Sequence, residues 1–290
     1  MKVKAYTINS FAKTFEGGNG AGVVLAADYL SDKEMQKIAA ILGFSETAFV
    51  LKSDTADFKV RFFTPSEEVD LCGHATIGTF FTMGTLGYIK PGKYLQETKA
   101  GILGVEIKED SSIMMSQPLP IFYETIDKNE MIDSLNIDIT NISEDLPVQI
   151  VSTGLRDIIV PVKNLDVLYS IKPDFKKITE ISKKYNAAGY HVFSLETSNA
   201  SSASCRNFAP LLGIPEESAT GTSNGALGCY LYQYGKIDIN QSSNIIIEQG
   251  YAMKKPSEIL VSLTVEENKI AGVKVGGSAL NLSSIELDIE

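Results

Sequence analysis

The chain has 290 residues, 44% of them hydrophobic and 21% charged, with a net charge of −10. This is the balance of a soluble globular protein of one large domain or two ordinary ones, and an acidic surplus without basic blocks argues against a nucleic-acid partner. No apolar run nears the ~20 residues that cross a bilayer, so no membrane partner is expected; three cysteines, Cys72, Cys205 and Cys229, without C-x-x-C spacing, suit a reducing cytoplasm.

In chain order, residues 2–11 alternate as a strand. Ser31-Asp32-Lys33-Glu34 spells a capping box, and Met35, Ile38, Ala39 and Leu42 follow at helical spacing up to Gly43. Strands are expected over 46–52 and 57–64, then a loop from Pro65 to Cys72. Residues 74–86 are apolar nearly all round (Ala75, Ile77, Phe80, Phe81, Met83, Leu86), which predicts a helix buried on every side. Strands near 102–108 and 112–117 precede Pro118-Leu119-Pro120, which reads as a domain crossover.

The second half repeats this grammar. Strands fit 147–152 and 157–163, a helix fits 174–186, and strands fit 190–196 and 201–208. A second helix with little polar surface spans 223–234, followed by strands at 244–249, 258–265 and 269–275. The expected class is α+β, each half a curled sheet around one buried helix. The expected domains are 1–117 and 118–277, with a last strand at about 278–290 returning to the first.

One motif occurs twice. Arg61-Phe62-Phe63-Thr64-Pro65 and Arg206-Asn207-Phe208-Ala209-Pro210 share R-x-F-x-P at an offset of 145. Three inserted residues, for which Leu211, Leu212 and Gly213 would serve, raise the offset to 148. Gly73 then matches Gly221 and Gly87 matches Gly235. A duplicated strand–loop–helix unit predicts two buried helices starting near His74 and Thr222. Their N-termini, with free N–H groups and a positive dipole end, would seat a carboxylate in a shared cleft.

Some patterns mislead. Gly17-Gly18-Asn19-Gly20-Ala21-Gly22 lacks the third glycine and the βαβ setting of a dinucleotide fingerprint, because Val23 fills that place. Gly221-Thr222-Ser223-Asn224-Gly225 fits G-x-S-x-G, yet both histidines, His74 and His191, precede the serine. The same scarcity of histidine argues against a zinc site, and no metal is expected. Cys205 and Cys229 read as core, while Cys72 beside a helix start could be either a buried or a reactive thiol.

Glu46 lies between Phe44 and Phe49 at the start of an apolar strand, a setting that would raise its pKa toward that of a general acid/base. His74 at a helix start is expected to stay neutral and to act as hydrogen-bond partner or proton shuttle. Glu217 occupies the equivalent loop of the second half and would be a third member if it shared the cleft.

Several of these segments occur in one order that resembles the PhzF family of phenazine biosynthesis isomerases, over essentially the whole chain. The carriers are Gly18-Asn19-Gly20-Ala21-Gly22-Val23-Val24, Gly43 to Val50, Asp70-Leu71-Cys72-Gly73-His74-Ala75-Thr76, Arg206 to Pro210, Gly213 to Glu217, Ala219-Thr220-Gly221-Thr222 and Val275 to Ala279. The resemblance implies a diaminopimelate epimerase-like fold with the active site between two similar domains. It also implies a cofactor-free, commonly homodimeric enzyme acting on a small carboxylate-bearing substrate such as trans-2,3-dihydro-3-hydroxyanthranilate. Glu46 would move the proton, assisted by His74 and Glu217. Asn19, Gly73, Gly221 and Thr222 would bind the substrate.

Three positions depart from the family pattern: Gly20 for proline, Glu217 for aspartate and Thr222 for serine. Two other readings stay open. A two-cysteine racemase would find Cys72 in place but Thr220 where its second thiol belongs. A non-catalytic binder would keep the cleft and show no proton exchange.

Overall fold

The computed structural model describes residues 1–289. They divide into two compact units, Met1–Ser116 with the stretch from Gly276 onward, and Gln117–Val275. In the first unit hydrogen bonding links Ala279–Asp288, Lys2–Ser10, Asn19–Val24, Thr47–Leu51, Phe58–Phe63, Gly92–Thr98 and Gly101–Ile107 in that order. Two neighbouring pairs are parallel, Asn19–Val24 with Thr47–Leu51 and Phe58–Phe63 with Gly92–Thr98. Parallel neighbours need a crossover. The helices Asp32–Leu42 and Gly73–Thr85 lie in those two connections.

The second unit has the same plan. Ile121–Ile126, Val148–Ser152, Arg156–Pro161, Gly189–Ser194, Ala203–Ala209, Ile245–Gln249 and Ser257–Glu266 follow one another. The parallel pairs recur at the same two places. Their crossovers carry Leu165–Ser170 with Phe175–Lys184, and then Gly221–Gln233. Both units are α+β.

The sheet of the first unit has two differently packed faces because side chains alternate along a strand. From Thr47–Leu51, Phe49 packs with Met35 and Ile38 of the helix Asp32–Leu42. Its neighbour Ala48 packs on the other face with Cys72 and Ala75 of the second helix region. That second helix is buried without a break from His74 to Phe80, and Gly221–Gln233 is buried from Ser223 to Leu231. Both therefore lack the polar stripe of a surface helix. Gly87 and Gly235, at φ 77° and 64°, turn the chain in the left-handed region just beyond them.

The repeated R-x-F-x-P motif has a structural reason. Arg61 donates to both Glu68 oxygens, Nε at 2.8 Å and Nη2 at 2.9 Å. Arg206 makes the same fork onto Glu216 at the same distances. Each guanidinium also lies over the ring of the motif's phenylalanine, 5.1 Å from Phe63 and 4.8 Å from Phe208. The fork ties the central strand to the short strand before each buried helix, Glu68–Val69 and Ile214–Glu217. Arg61's hydrogen bonds hold the Glu68 carboxyl down at about 2 against its partial burial. The three inserted residues fall in a 3-10 turn at Pro210–Leu212, closed by Gly213 at φ 78°.

Several elements differ from the sequence reading. The capping box at Ser31 and Glu34 and the stop at Gly43 are as expected. Asn19–Val24 is a full strand although its glycines advertise a loop, and Gly92–Thr98 and Ile121–Ile126 are strands that no alternation marked. The helices Asn129–Leu135 and Leu165–Ser170 are too short to show a clear period.

Candidate active site

In the first unit, four side chains gather on His74, the second residue of the helix Gly73–Thr85. Glu46, just before the strand Thr47–Leu51, places Oε2 3.3 Å from His74 Nε2. Ser45 Oγ is 3.4 Å from the same nitrogen. Asn19 Nδ2 and Cys72 Sγ stand 3.4 and 3.3 Å from Nδ1. Glu46 Oε2 is buried, and the approach to His74 is an ion-pair distance without aligned hydrogen-bond geometry.

Glu46's apolar setting is only half as the sequence suggested. Phe49 lies on the opposite face of the strand, in the cluster around the helix Asp32–Leu42. Phe44 precedes the strand and is partly buried. The helix itself starts open. Its N-cap Cys72 makes no side-chain cap bond, and neither does Thr220 at the start of Gly221–Gln233. Each buried helix thus presents first-turn amides that no side chain caps.

Glu46, Cys72 and His74 also bring one ligand atom each to within 4.8 Å of one another. The sulfur sits nearer Nδ1 (3.3 Å) than Nε2 (3.8 Å), whereas the carboxylate faces Nε2.

The second unit brings together a different set. Glu217 Oε2 accepts the Thr220 hydroxyl at 2.5 Å. Gln249 spans this turn: its Oε1 accepts from Thr220 N (3.1 Å), and its Nε2 donates to Glu217 O (2.8 Å) and Thr220 Oγ1 (3.1 Å). Asn224 extends the network from Gln249 to His191. Asn207 joins His191 to Ser223, and Ser223 donates to Asp157 at 2.8 Å. Ser223 is therefore a buried structural hydroxyl and no hydrolase nucleophile. Burial pushes the Asp157 carboxyl up to about 7; the Ser223 hydrogen bond opposes this and the charge of Glu217 adds to it. Burial likewise lowers His191 to about 4. Nothing in the sequence joins Asp157, His191, Asn224 and Gln249 to one another, because they lie in separate strand and helix patterns far apart in the chain.

The units differ where Glu46 stands. Thr47 pairs with Phe63, and Tyr190 pairs with Phe208, which aligns Glu46 with Gly189. A Cβ at Gly189 would collide with the Phe208 carbonyl oxygen, so that place admits no side chain.

Comparison with known proteins places the chain in a family. A family model described as phenazine biosynthesis-like protein, PhzC–PhzF, matches residues 8–284. An uncharacterized isomerase of Clostridium acetobutylicum is 36% identical, covering 99% of this chain and 98% of its own. The crystal structure of a Bacillus anthracis phenazine biosynthesis protein of the PhzF family superposes with a TM-score of 0.90 at 34% identity over the whole of both chains. The trans-2,3-dihydro-3-hydroxyanthranilate isomerase of Pseudomonas chlororaphis is 27% identical, covering 94% of this chain and 95% of its own. Among the described residues no helix is long and apolar enough to cross a membrane.

Proposed function

Because the chain belongs to the phenazine biosynthesis-like (PhzC–PhzF) family of isomerases, we propose that it shifts a proton between two carbons of a small carboxylate-bearing substrate, without a cofactor. Glu46 is the proton carrier. Its ionised carboxylate takes a proton from a saturated carbon, the electron pair left behind delocalises into the adjoining unsaturated system, and the new acid returns the proton to another carbon. No atom is gained or lost and no redox partner is required. The observation that carries this reading is the buried Glu46 Oε2 held 3.3 Å from His74 Nε2.

His74 is proposed to share the proton with Glu46. Asn19 and the amides at Gly73 are assigned to substrate binding, as are Gly221 and Thr222 of the second unit, with Glu217 as an assisting carboxylate. The substrate class is a ring acid like the trans-2,3-dihydro-3-hydroxyanthranilate handled by the Pseudomonas chlororaphis relative. A two-base racemase is disfavoured because the second thiol is Thr220, whose proton is already committed to Glu217.

Incubation with trans-2,3-dihydro-3-hydroxyanthranilate in D2O, followed by proton NMR, tests the reading. Ring isomerisation with deuterium entering at a single carbon is expected. Saturable binding of that acid with neither conversion nor exchange would leave a binding protein and overturn the enzyme reading.

A further inference from the structure

We propose that Gln249 and Thr220 are positioning residues that fix Glu217 as a hydrogen-bond acceptor, Gln249 turning the Thr220 hydroxyl so that its proton points at Glu217 Oε2. This rests on Glu217 belonging to the site proposed above. Gln249 lies at the end of Ile245–Gln249, is fully buried, and is distant in sequence from every residue so far given a role.

The direction of the relay follows from groups that have no choice. The Thr220 backbone N–H can only donate, so the Gln249 atom 3.1 Å from it is the amide oxygen. The Glu217 backbone carbonyl can only accept, so the atom 2.8 Å from it is the amide nitrogen. Both ends therefore demand the same orientation of the amide, and a flipped amide would satisfy neither. Asn224 agrees: its Nδ2 donates to the Thr220 carbonyl at 2.9 Å and to Gln249 Oε1 at 2.7 Å.

With that orientation set, Gln249 Nε2 donates to Thr220 Oγ1 at 3.1 Å. The hydroxyl has one proton, and having accepted from Gln249 it directs that proton to Glu217 Oε2 at 2.5 Å. A hydrogen bond to an ionised oxygen is stronger than one between neutral groups. The relay therefore holds the Glu217 carboxyl in one orientation and leaves Thr220 unable to serve as a base.

The first unit lacks the device. Phe58 pairs with Gln96 as Ala203 pairs with Ile247, so Thr98 stands where Gln249 does. Its hydroxyl donates locally to the Gly101 carbonyl. Cys72, the counterpart of Thr220, instead faces His74. The clamp is thus a feature of the acid in the second unit and no general requirement of the fold.

The test combines protonation states with rates. In neutron diffraction of the deuterated protein, deuterons should lie on Gln249 Nε2 facing Thr220 Oγ1 and on Thr220 Oγ1 facing Glu217 Oε2. With trans-2,3-dihydro-3-hydroxyanthranilate as probe, Thr220→Val should lower kcat by about 10- to 100-fold with KM nearly unchanged, as loss of a hydrogen bond to a charged group implies. Thr220→Ser keeps the hydroxyl and should restore kcat to within about threefold of wild type. Gln249→Glu removes the donor and should lower kcat although Thr220 is intact. A Thr220 deuteron pointing away from Glu217, or a folded Thr220→Val enzyme with wild-type kcat, overturns the proposal. If the wild-type protein does not turn over the probe, that failure belongs to the proposed function, and the neutron map alone decides the relay.

Discussion

Ser10 donates its hydroxyl proton to the carbonyl oxygen of His74 across 2.6 Å, from a fully buried position. Thr153 Oγ1 takes the corresponding place against the Thr222 carbonyl at 3.0 Å, sharing its proton with Gln117 Oε1 at 2.7 Å. The strand registers align Ser10 with Thr153, since Tyr6 pairs with Val23 as Gln149 pairs with Ile159. Each buried helix is thus held by its second residue to the strand beneath it. Ser10→Ala removes this second bond and leaves the His74 carbonyl only its helical partner, and should cost about 0.5–1.5 kcal/mol. Urea unfolding at constant m-value measures it; an unchanged midpoint would show that the contact adds nothing to stability.

Glu46→Gln keeps the shape of the side chain and deletes the titratable group. Turnover of any identified substrate should fall by roughly 10²–10⁴-fold with folding intact. The check is single-turnover deuterium exchange by mass spectrometry, and near wild-type exchange would sink the assignment.

Cys72 stands beside His74, but its counterpart Thr220 is no thiol and is engaged with Glu217. Cys72→Ser is therefore expected to keep substantial activity. A folded, ligand-binding but inactive Cys72→Ser would instead move the racemase reading ahead.

Asp157 and His191 predict opposing pH effects on stability. The raised Asp157 value of about 7 gives stability that is complete below the ordinary 3.8 and lost as pH rises through about 7. His191, lowered from 6.5 to about 4, gives stability that is present above 6.5 and lost as pH falls through about 4. Between about 4 and 6.5 the two slopes offset one another. In Asp157→Asn only the histidine slope remains. Relative to wild type, this variant should gain stability as pH rises from about 4 to about 8, by an amount on the order of a few kcal/mol. Thermal melts across that range decide it; parallel curves for the two proteins would refute the offset.

Arg206 is nearly buried and also donates to the Leu168 and Ile171 carbonyls at 3.1 and 2.9 Å. Arg206→Ala leaves Glu216 without its fork and should cost about 3–5 kcal/mol. Arg206→Lys should recover only part of this, because an ammonium cannot make the two parallel bonds. Equal stability of the lysine variant and wild type, by denaturant titration, would contradict it.

Much of this was legible in the sequence, for particular reasons. The helices around His74 and Ser223 announced themselves because a segment apolar on every side has to be surrounded by protein, and the repeated Arg and Phe marked the strands before them. The strand Asn19–Val24 did not, because its glycines carry turn statistics while pairing on both sides overrides them. Glu46 and His74 could be named from their neighbours in sequence. Gln249 and Asp157 could not. Their importance lies in partners 29 and 66 residues away, and nothing local sets them apart from other strand residues.

The carbonyl of Phe208 that crowds Gly189 limits how this duplicated chain can diverge. After a duplication both copies begin with the same options, but here one copy has no space for a side chain at the position that bears the acid in the other. No single substitution can give the protein a second strand-start glutamate, since the backbone of the neighbouring strand would have to move first. New chemistry in the second unit must come through residues such as Glu217 and Thr220, on the loop that follows the inserted turn. The lineage is committed to unequal halves.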